Sequence, residues 1–203
     1  MIEALNATAW KEKNTAIEAI AEWIPEDLEK ATFNAETIVV LLKAKLKDFK
    51  ESNLVLVKGW IGIVSKLAEM TNGLQKRTAA MVLHQLTEKL GDAKFKAVSD
   101  ECLLNLASVL GPGFIAKLIV KYGSEAKSPN VIKESCNFLV KLPMEFGSPS
   151  GLPLKEIIDY GKIAIAHSNP GARKSATEML VAYYQWCGEA ARGLIVKDIK
   201  EST

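Results

Sequence analysis

Apolar residues recur every three to four positions along most of the chain, broken by short polar stretches. In residues 10–23 this spacing puts Ile17, Ile20, Ala21 and Ile24 on one helical face, and Pro25 stops the run. Residues 34–46 open with Asn34 as a cap, followed by Glu36, and carry a strong apolar stripe. Residues 53–70 turn Val57, Trp60, Ile61 and Val64 inward. A helix over 74–90 closes at Gly91, and another over 97–110 stops at the breaker Gly111-Pro112-Gly113. Pro112 begins a helix ended by Gly123, and a helix over 130–142 ends at Pro143. GSPSGLP, residues 147–153, is the most turn-rich segment and predicts a longer connection. Helices over 153–166 and 170–187 follow, then a short one over 189–200. The apolar runs VVLL and LVLV resemble strands, but their capped and charged flanks favour helix.

Five of the polar stretches lead into an apolar helix in the same way. With Trp10, Leu54, Lys96, Val131 and Ala172 as equivalent positions, the steps are 44, 42, 35 and 41 residues. That period belongs to stacked helix pairs of the HEAT or armadillo kind. The expected fold is therefore all-α, a HEAT-repeat α-solenoid of five to six antiparallel pairs and about eleven helices. One pair cannot bury its own apolar face, so residues 1–203 are expected to form a single cooperative domain. The first pair has only IEALN before Trp10 and the last helix lacks a partner, which suggests one domain of a longer protein.

Composition narrows the function classes. Hydrophobic residues make up 48% and charged residues 25% of 203, with a formal net charge of +2, too small to point to nucleic acid or membrane by itself. No stretch reaches the ~18 consecutive apolar residues of a membrane helix. The N-terminus has an early acid and no basic segment, so no signal peptide is read and the chain is taken as cytosolic. Cys102, Cys136 and Cys187 lie far apart in apolar runs, which fits buried reduced thiols and not a metal site.

Catalytic chemistry finds no foothold. His84 sits inside a helix as a packed or rim residue, and His167 precedes a turn as a solvated or capping residue. GARKS, residues 171–175, echoes a phosphate loop but has Arg173 where glycine is needed and follows a helix, not a strand. Neither a nucleophile elbow nor a cofactor motif is found, so the chain is read as non-enzymatic with no cofactor and no metal.

The loop row is more informative. Its members are Trp10-Lys11-Glu12-Lys13, Lys50 to Val55, Asp92 to Lys96, Lys127 to Asn130 with Lys133 one turn on, and Ser168 to Lys174. Each brings at least one cation, and the stack sets all five along one edge. An aromatic anchor at one end with cations beyond it suits an acidic protein surface. The same residues also fit a plainer role, with lysines as solvated surface and Trp10 as a staple on its own helix. Trp23, Trp60 and Trp186 lie on apolar faces and are expected in the core. Of Tyr183 and Tyr184, adjacent in a helix, one is expected inside and one outside.

AWKEKNTAIEAI at the first turn, KLGDAK at 89–94 and NPGARKSATEMLVAYYQWCG in the fifth repeat resemble a TOG domain of the microtubule-polymerase family. The segment 150–176 is most similar to a third TOG domain. The resemblance covers essentially the whole chain. It implies a flat paddle whose intra-repeat loops bind αβ-tubulin, supporting microtubule plus-end growth and spindle assembly at spindle poles, centrosomes or kinetochores. By position, Trp10 matches the first-loop tryptophan, with Lys11 beside it, and Asn53, Leu54 and Val55 match the second-loop patch. Lys94 and Lys96 fall in the third loop and are exchangeable there; Asn130 and Lys133 fall in the fourth. Arg173 matches the basic residue of the fifth loop, flanked by Lys174 and Asn169. The implied protein is a monomeric module in a multi-domain array, and the third-domain likeness allows a lattice-biased role. Two other readings stand beside it: a HEAT adaptor using a different face, and a nucleic-acid binder along the lysine edge, which the near-neutral charge disfavours.

Overall fold

The computed structural model describes residues 3–24, 34–70, 74–147 and 151–197. Among these, the elements are a 3-10 turn, Glu3–Asn6, and ten α-helices. In chain order they are α1 (Trp10–Trp23), α2 (Ala35–Lys45), α3 (Leu54–Glu69), α4 (Lys76–Leu90), α5 (Lys96–Leu110), α6 (Pro112–Glu125), α7 (Pro129–Phe146), α8 (Leu154–Ile165), α9 (Pro170–Cys187) and α10 (Glu189–Val196). VVLL and LVLV are helical, in α2 and α3. The expected stop at Pro25, the middle of the 147–153 connection and the end of the last helix lie outside the described residues.

The helices form two layers. The odd-numbered helices α1, α3, α5, α7 and α9 stand in one row, and α2, α4, α6, α8 and α10 in the other. One continuous apolar core runs between the rows, with Trp60, Phe49, Phe138 and Tyr183 as its largest fully buried side chains. Trp60 packs on Phe49 with ring centroids 4.7 Å apart. To reach it, Lys47, Asp48 and Phe49 take left-handed backbone angles (φ 52°, 55° and 60°), each costing about 1–2 kcal/mol. Burial of Phe49 and a hydrogen bond from Asp48 N–H to Lys43 O offset this, and the turn steers the chain into the second loop.

Two expected helix ends are corrected. Gly123 does not end α6; it is buried inside it, where an added Cβ would lie 2.7 Å from the Tyr160 hydroxyl. Its role is to let α8 approach. Pro143 does not end α7, which runs on to Phe146. A proline there has no N–H for the Leu139 carbonyl. The Tyr183 hydroxyl, arriving from α9, donates to that carbonyl at 2.9 Å instead. Gly91 does cap α4, but with ordinary right-handed angles. It is glycine because a Cβ would come within 2.8 Å of the Val131 backbone nitrogen.

Trp60 is fully buried as expected, whereas Trp23 and Trp186 are 54% and 38% exposed and do not belong to the core. Both lie near helix ends, where an apolar stripe runs past the layer it packs against. Tyr183 is buried and Tyr184 exposed. Burial pushes the Cys136 thiol up to about 12 and that of Cys102 up as well, so neither forms a reactive thiolate.

Candidate partner-binding edge

The N-termini of the odd-numbered helices all open at one edge, and the sequence builds each start differently. Asn53 caps α3, its side-chain oxygen accepting from Val55 N–H and Leu56 N–H at 3.0 and 3.3 Å. Asn169 caps α9 in the same way, accepting from Gly171 N–H and Ala172 N–H. Pro129 and Pro170 occupy first helical positions, where a missing N–H costs nothing. Asp92 orders the third loop by accepting from Lys94 N–H.

At one end of the edge the surface is apolar. Trp10, Leu54 and Val55 are 44%, 43% and 41% exposed. Each falls within the first turn of its helix, so the indole projects from the edge and does not pack as a core residue. An adaptor that ignored this edge would have no use for three exposed apolar side chains there.

Toward the other end the edge is basic. Lys94, Arg173 and Lys174 are exposed with Asn130 exposed beside them, while Lys11 stands next to Trp10 at the apolar end. Helix physics opposes this placement. The N-terminus of a helix carries partial positive charge, and a cation there costs roughly 0.3–1 kcal/mol. No acid lies in the first turn of α3, α5, α7 or α9, while α1 has Glu12. In the other layer Glu36, Glu156 and Glu189 occupy the first turns of α2, α8 and α10, and α4 and α6 have none. The cations at these helix starts thus run against local stability.

Several links make the five loops one continuous surface. Glu51, nearly buried, accepts from Ser52 N–H and Asn53 N–H. Burial alone would raise its pKa, but those N–H groups, with Lys47 and Lys13 nearby, hold it below the usual carboxylate range. Lys89 crosses from α4 to donate to Glu51 O at 3.1 Å and lies over the Phe95 ring, tying the second loop to the third. Gly91 against Val131 joins the third to the fourth. The Lys133 stem lies near Gly171, joining the fourth to the fifth.

Two predicted cations are not free. Glu134, buried on α7, accepts from Lys96 Nζ at 2.7 Å and Lys133 Nζ at 3.2 Å, and from Asn137. Burial works against its charge, yet the two lysines and Asn137 hold its pKa below the ordinary value. Lys96 and Lys133 thus form a fork fixed by one carboxylate, with one net positive charge between them. Sequence reasoning missed Glu134, because its partner Lys96 is 38 positions away and no local spacing joins them. Arg173 is likewise engaged: its guanidinium donates to the carbonyls of His167 and Ser168 and holds the fifth loop in shape. His167 acts within that loop, Nδ1 accepting from Asn169 N–H. Lys174 pairs loosely with Glu178.

Among the described residues, no group of histidine, cysteine or carboxylate side chains could hold a metal ion, and no helix is long and apolar enough to cross a membrane.

Comparison with known proteins gives a consistent result. Residues 2–203 match the family model described as XMAP215/Dis1/CLASP, TOG domain. Protein MOR1 of Oryza sativa subsp. japonica is 29% identical over 200 residues, 98% of this chain but 10% of that protein. The chain therefore spans about a tenth of the length of such relatives. The solved TOG3 domain of Drosophila melanogaster Mini spindles superposes with a TM-score of 0.84 at 23% identity, covering 99% of this chain and 86% of that one. A structure solved in work on TOG–tubulin binding specificity in microtubule dynamics and mitotic spindle formation gives 0.80 at 14% identity, covering 95% of this chain and 74% of that one. At these identities both likenesses establish the fold.

Proposed function

The chain belongs to the XMAP215/Dis1/CLASP family of TOG domains, and from that premise we propose that its loop edge binds αβ-tubulin as a non-enzymatic module supporting microtubule growth and spindle assembly. The observation that carries the reading is the edge itself. It has exposed Trp10, Leu54 and Val55 at one end and cations set against their helix dipoles toward the other. Tryptophan is a frequent hot-spot anchor, while Lys and Arg supply steering and register toward an acidic surface. In this reading Trp10, Lys11, Asn53, Leu54 and Val55 meet one tubulin subunit. Lys94, Lys96, Asn130, Lys133, Asn169, Arg173 and Lys174 meet the other. Asn53 and Asn169 act chiefly through the loop shapes they cap, Lys96 and Lys133 through the Glu134 fork.

The module works as one domain of a longer microtubule-associated protein, which its short span relative to Protein MOR1 supports. Linked modules raise the local concentration of dimers at a growing end. A preference for one tubulin curvature would release the dimer as the lattice straightens.

Size-exclusion chromatography with purified tubulin at low salt tests the reading. The wild-type chain is expected to co-elute at micromolar concentration. Trp10→Ala is expected to weaken the complex by about 2 kcal/mol or more without loss of helix content, and Arg173→Ala to weaken it through the fifth loop. Absence of co-elution, with both variants indistinguishable from wild type, overturns binding to the free dimer. Co-sedimentation with polymerised microtubules then distinguishes a lattice-binding module.

A further inference from the structure

The edge is not the only charged surface. On the outer face of the even-numbered layer, α4 and α6 run parallel, and two side-chain contacts set their register. Lys76 Nζ lies 5.4 Å from the Phe114 ring centroid, and the His84 and Tyr122 rings lie 4.9 Å apart. Both contacts recur after eight residues on each helix, which is about 12 Å of helix length. Lys121 lies over Tyr122 at 5.3 Å, and Lys117 stands between the two contacts in sequence. Lys76, Lys117 and Lys121 make no ion pair with any described residue, and Arg77 beside them reaches only Glu36, at 3.8 Å. The ring faces hold Lys76 and Lys121 from one side, leaving their remaining N–H groups directed to solvent.

The rest of the molecule sharpens the contrast. In the opposite layer the exposed charged side chains beyond the loop edge are mostly acidic, Glu18, Glu22, Glu69, Glu101, Glu145 and Glu178 against Lys58 and Lys66. Next to α6, helix α8 is charge-balanced, with Lys155 paired to Asp159 at 3.4 Å and Glu156 and Lys162 beside them. The strip thus gathers three unpaired lysines on one patch, with Glu88 and Glu125 following at its C-terminal end, and a ligand with negative charge is attracted to it.

We propose that the α4–α6 strip, carrying Lys76, Lys117 and Lys121 over Phe114, Tyr122 and His84, is a second binding surface that takes an extended acidic polypeptide segment. Its length decides the occupant. An extended chain rises about 3.3 Å per residue, so about four residues cover the ~12 Å between the paired contacts. Three unpaired ammonium groups match three or four carboxylates at that spacing. Phe114 and Tyr122 are half-buried between the helices, and His84 lies tilted at 52° against the Tyr122 ring. They do not form the open stacking platform that single-stranded nucleic acid uses. The strip lies on the outer face of α4 and α6 and the loop edge at their C-terminal ends, so variants of one surface leave the other's side chains in place.

Fluorescence anisotropy with a labelled hexaglutamate peptide tests this on the whole chain. Binding is expected at low salt. It should weaken at least about tenfold in the Lys117→Glu, Lys121→Glu double variant. It should change less than about twofold in the Arg173→Ala, Lys174→Ala variant. Circular dichroism checks that both remain folded. Tubulin co-elution by the Lys117→Glu, Lys121→Glu variant should match wild type. Three results overturn the proposal: no binding at low salt, loss with the loop-edge variant instead, or tighter binding of an oligothymidylate than of hexaglutamate.

Discussion

Glu134 shows how one side chain can set the character of a surface it does not itself present. Its carboxylate is nearly buried and holds Lys96 and Lys133 at 2.7 and 3.2 Å. The folded protein keeps it ionised to lower pH than an ordinary glutamate, since the two lysines and Asn137 outweigh the burial that opposes its charge. The sign follows: the stabilisation is complete above the unfolded value, near 4.5, and is lost as pH falls through the depressed folded value. Glu134→Gln is therefore expected to lower stability by about 1–3 kcal/mol at neutral pH, with the gap to wild type closing as the pH falls through the depressed folded value. Urea denaturation at a series of pH values checks this; parallel curves across the acid range would remove the carboxylate from the account. Trp10 is the opposite case. In the sequence it fits either an exposed anchor or a staple on its own helix, and its 44% exposure at the helix start favours the anchor. Glu134 was not legible from the sequence, because a charge beside Lys133 in sequence gives no hint of a lysine on another helix.

At the scale of the element, the helices were legible wherever an apolar stripe met a cap. Their ends were less so, and the reasons lie across the stack. Sequence rules stop α6 at Gly123 and α7 at Pro143, yet both helices continue. Gly123 answers to Tyr160 on α8, and Pro143 to Tyr183 on α9. A hydroxyl from one helix replaces a hydrogen bond that proline removes from its neighbour. This pairing predicts a specific non-additivity. Tyr183→Phe leaves the Leu139 carbonyl unpaired and should cost about 1–3 kcal/mol. In a Pro143→Ala background the restored N–H satisfies that carbonyl, so the same change should cost markedly less. Equal costs in the two backgrounds, read from thermal or urea melts, would dissociate the hydroxyl from the proline.

At the scale of the whole molecule, the stack is not uniform. Helices α3 and α5 pack extensively, as do α7 and α9, but α5 and α7 touch sparsely, and α7 instead leans on α4 and α6. This is the step of 35 residues, the shortest between repeats. Across it run two ion pairs, Lys96–Glu134 and Lys141–Asp100, each with a half-exposed lysine. The direct α5–α7 contact thus relies on ion pairs, while the apolar core continues across the joint through α4 and α6. At about 1 M salt the screening length falls to ~3 Å, and amide exchange in the first turns of α5 and α7 should quicken relative to α3 and α9. A uniform response along the chain would argue against a distinct joint. The repeat period reveals that a stack exists; only the packing reveals where it is weakest.

The loops, by contrast, are held together at the main chain. Lys89 on the Glu51 carbonyl, Gly91 on the Val131 backbone and Arg173 on the carbonyls of its own turn leave the edge little freedom to lose. A partner arriving there meets a surface whose ordering was completed when the domain folded. Its association should carry the thermodynamic signature of rigid bodies, a heat-capacity change set by the apolar area covered, with no excess from coupled folding.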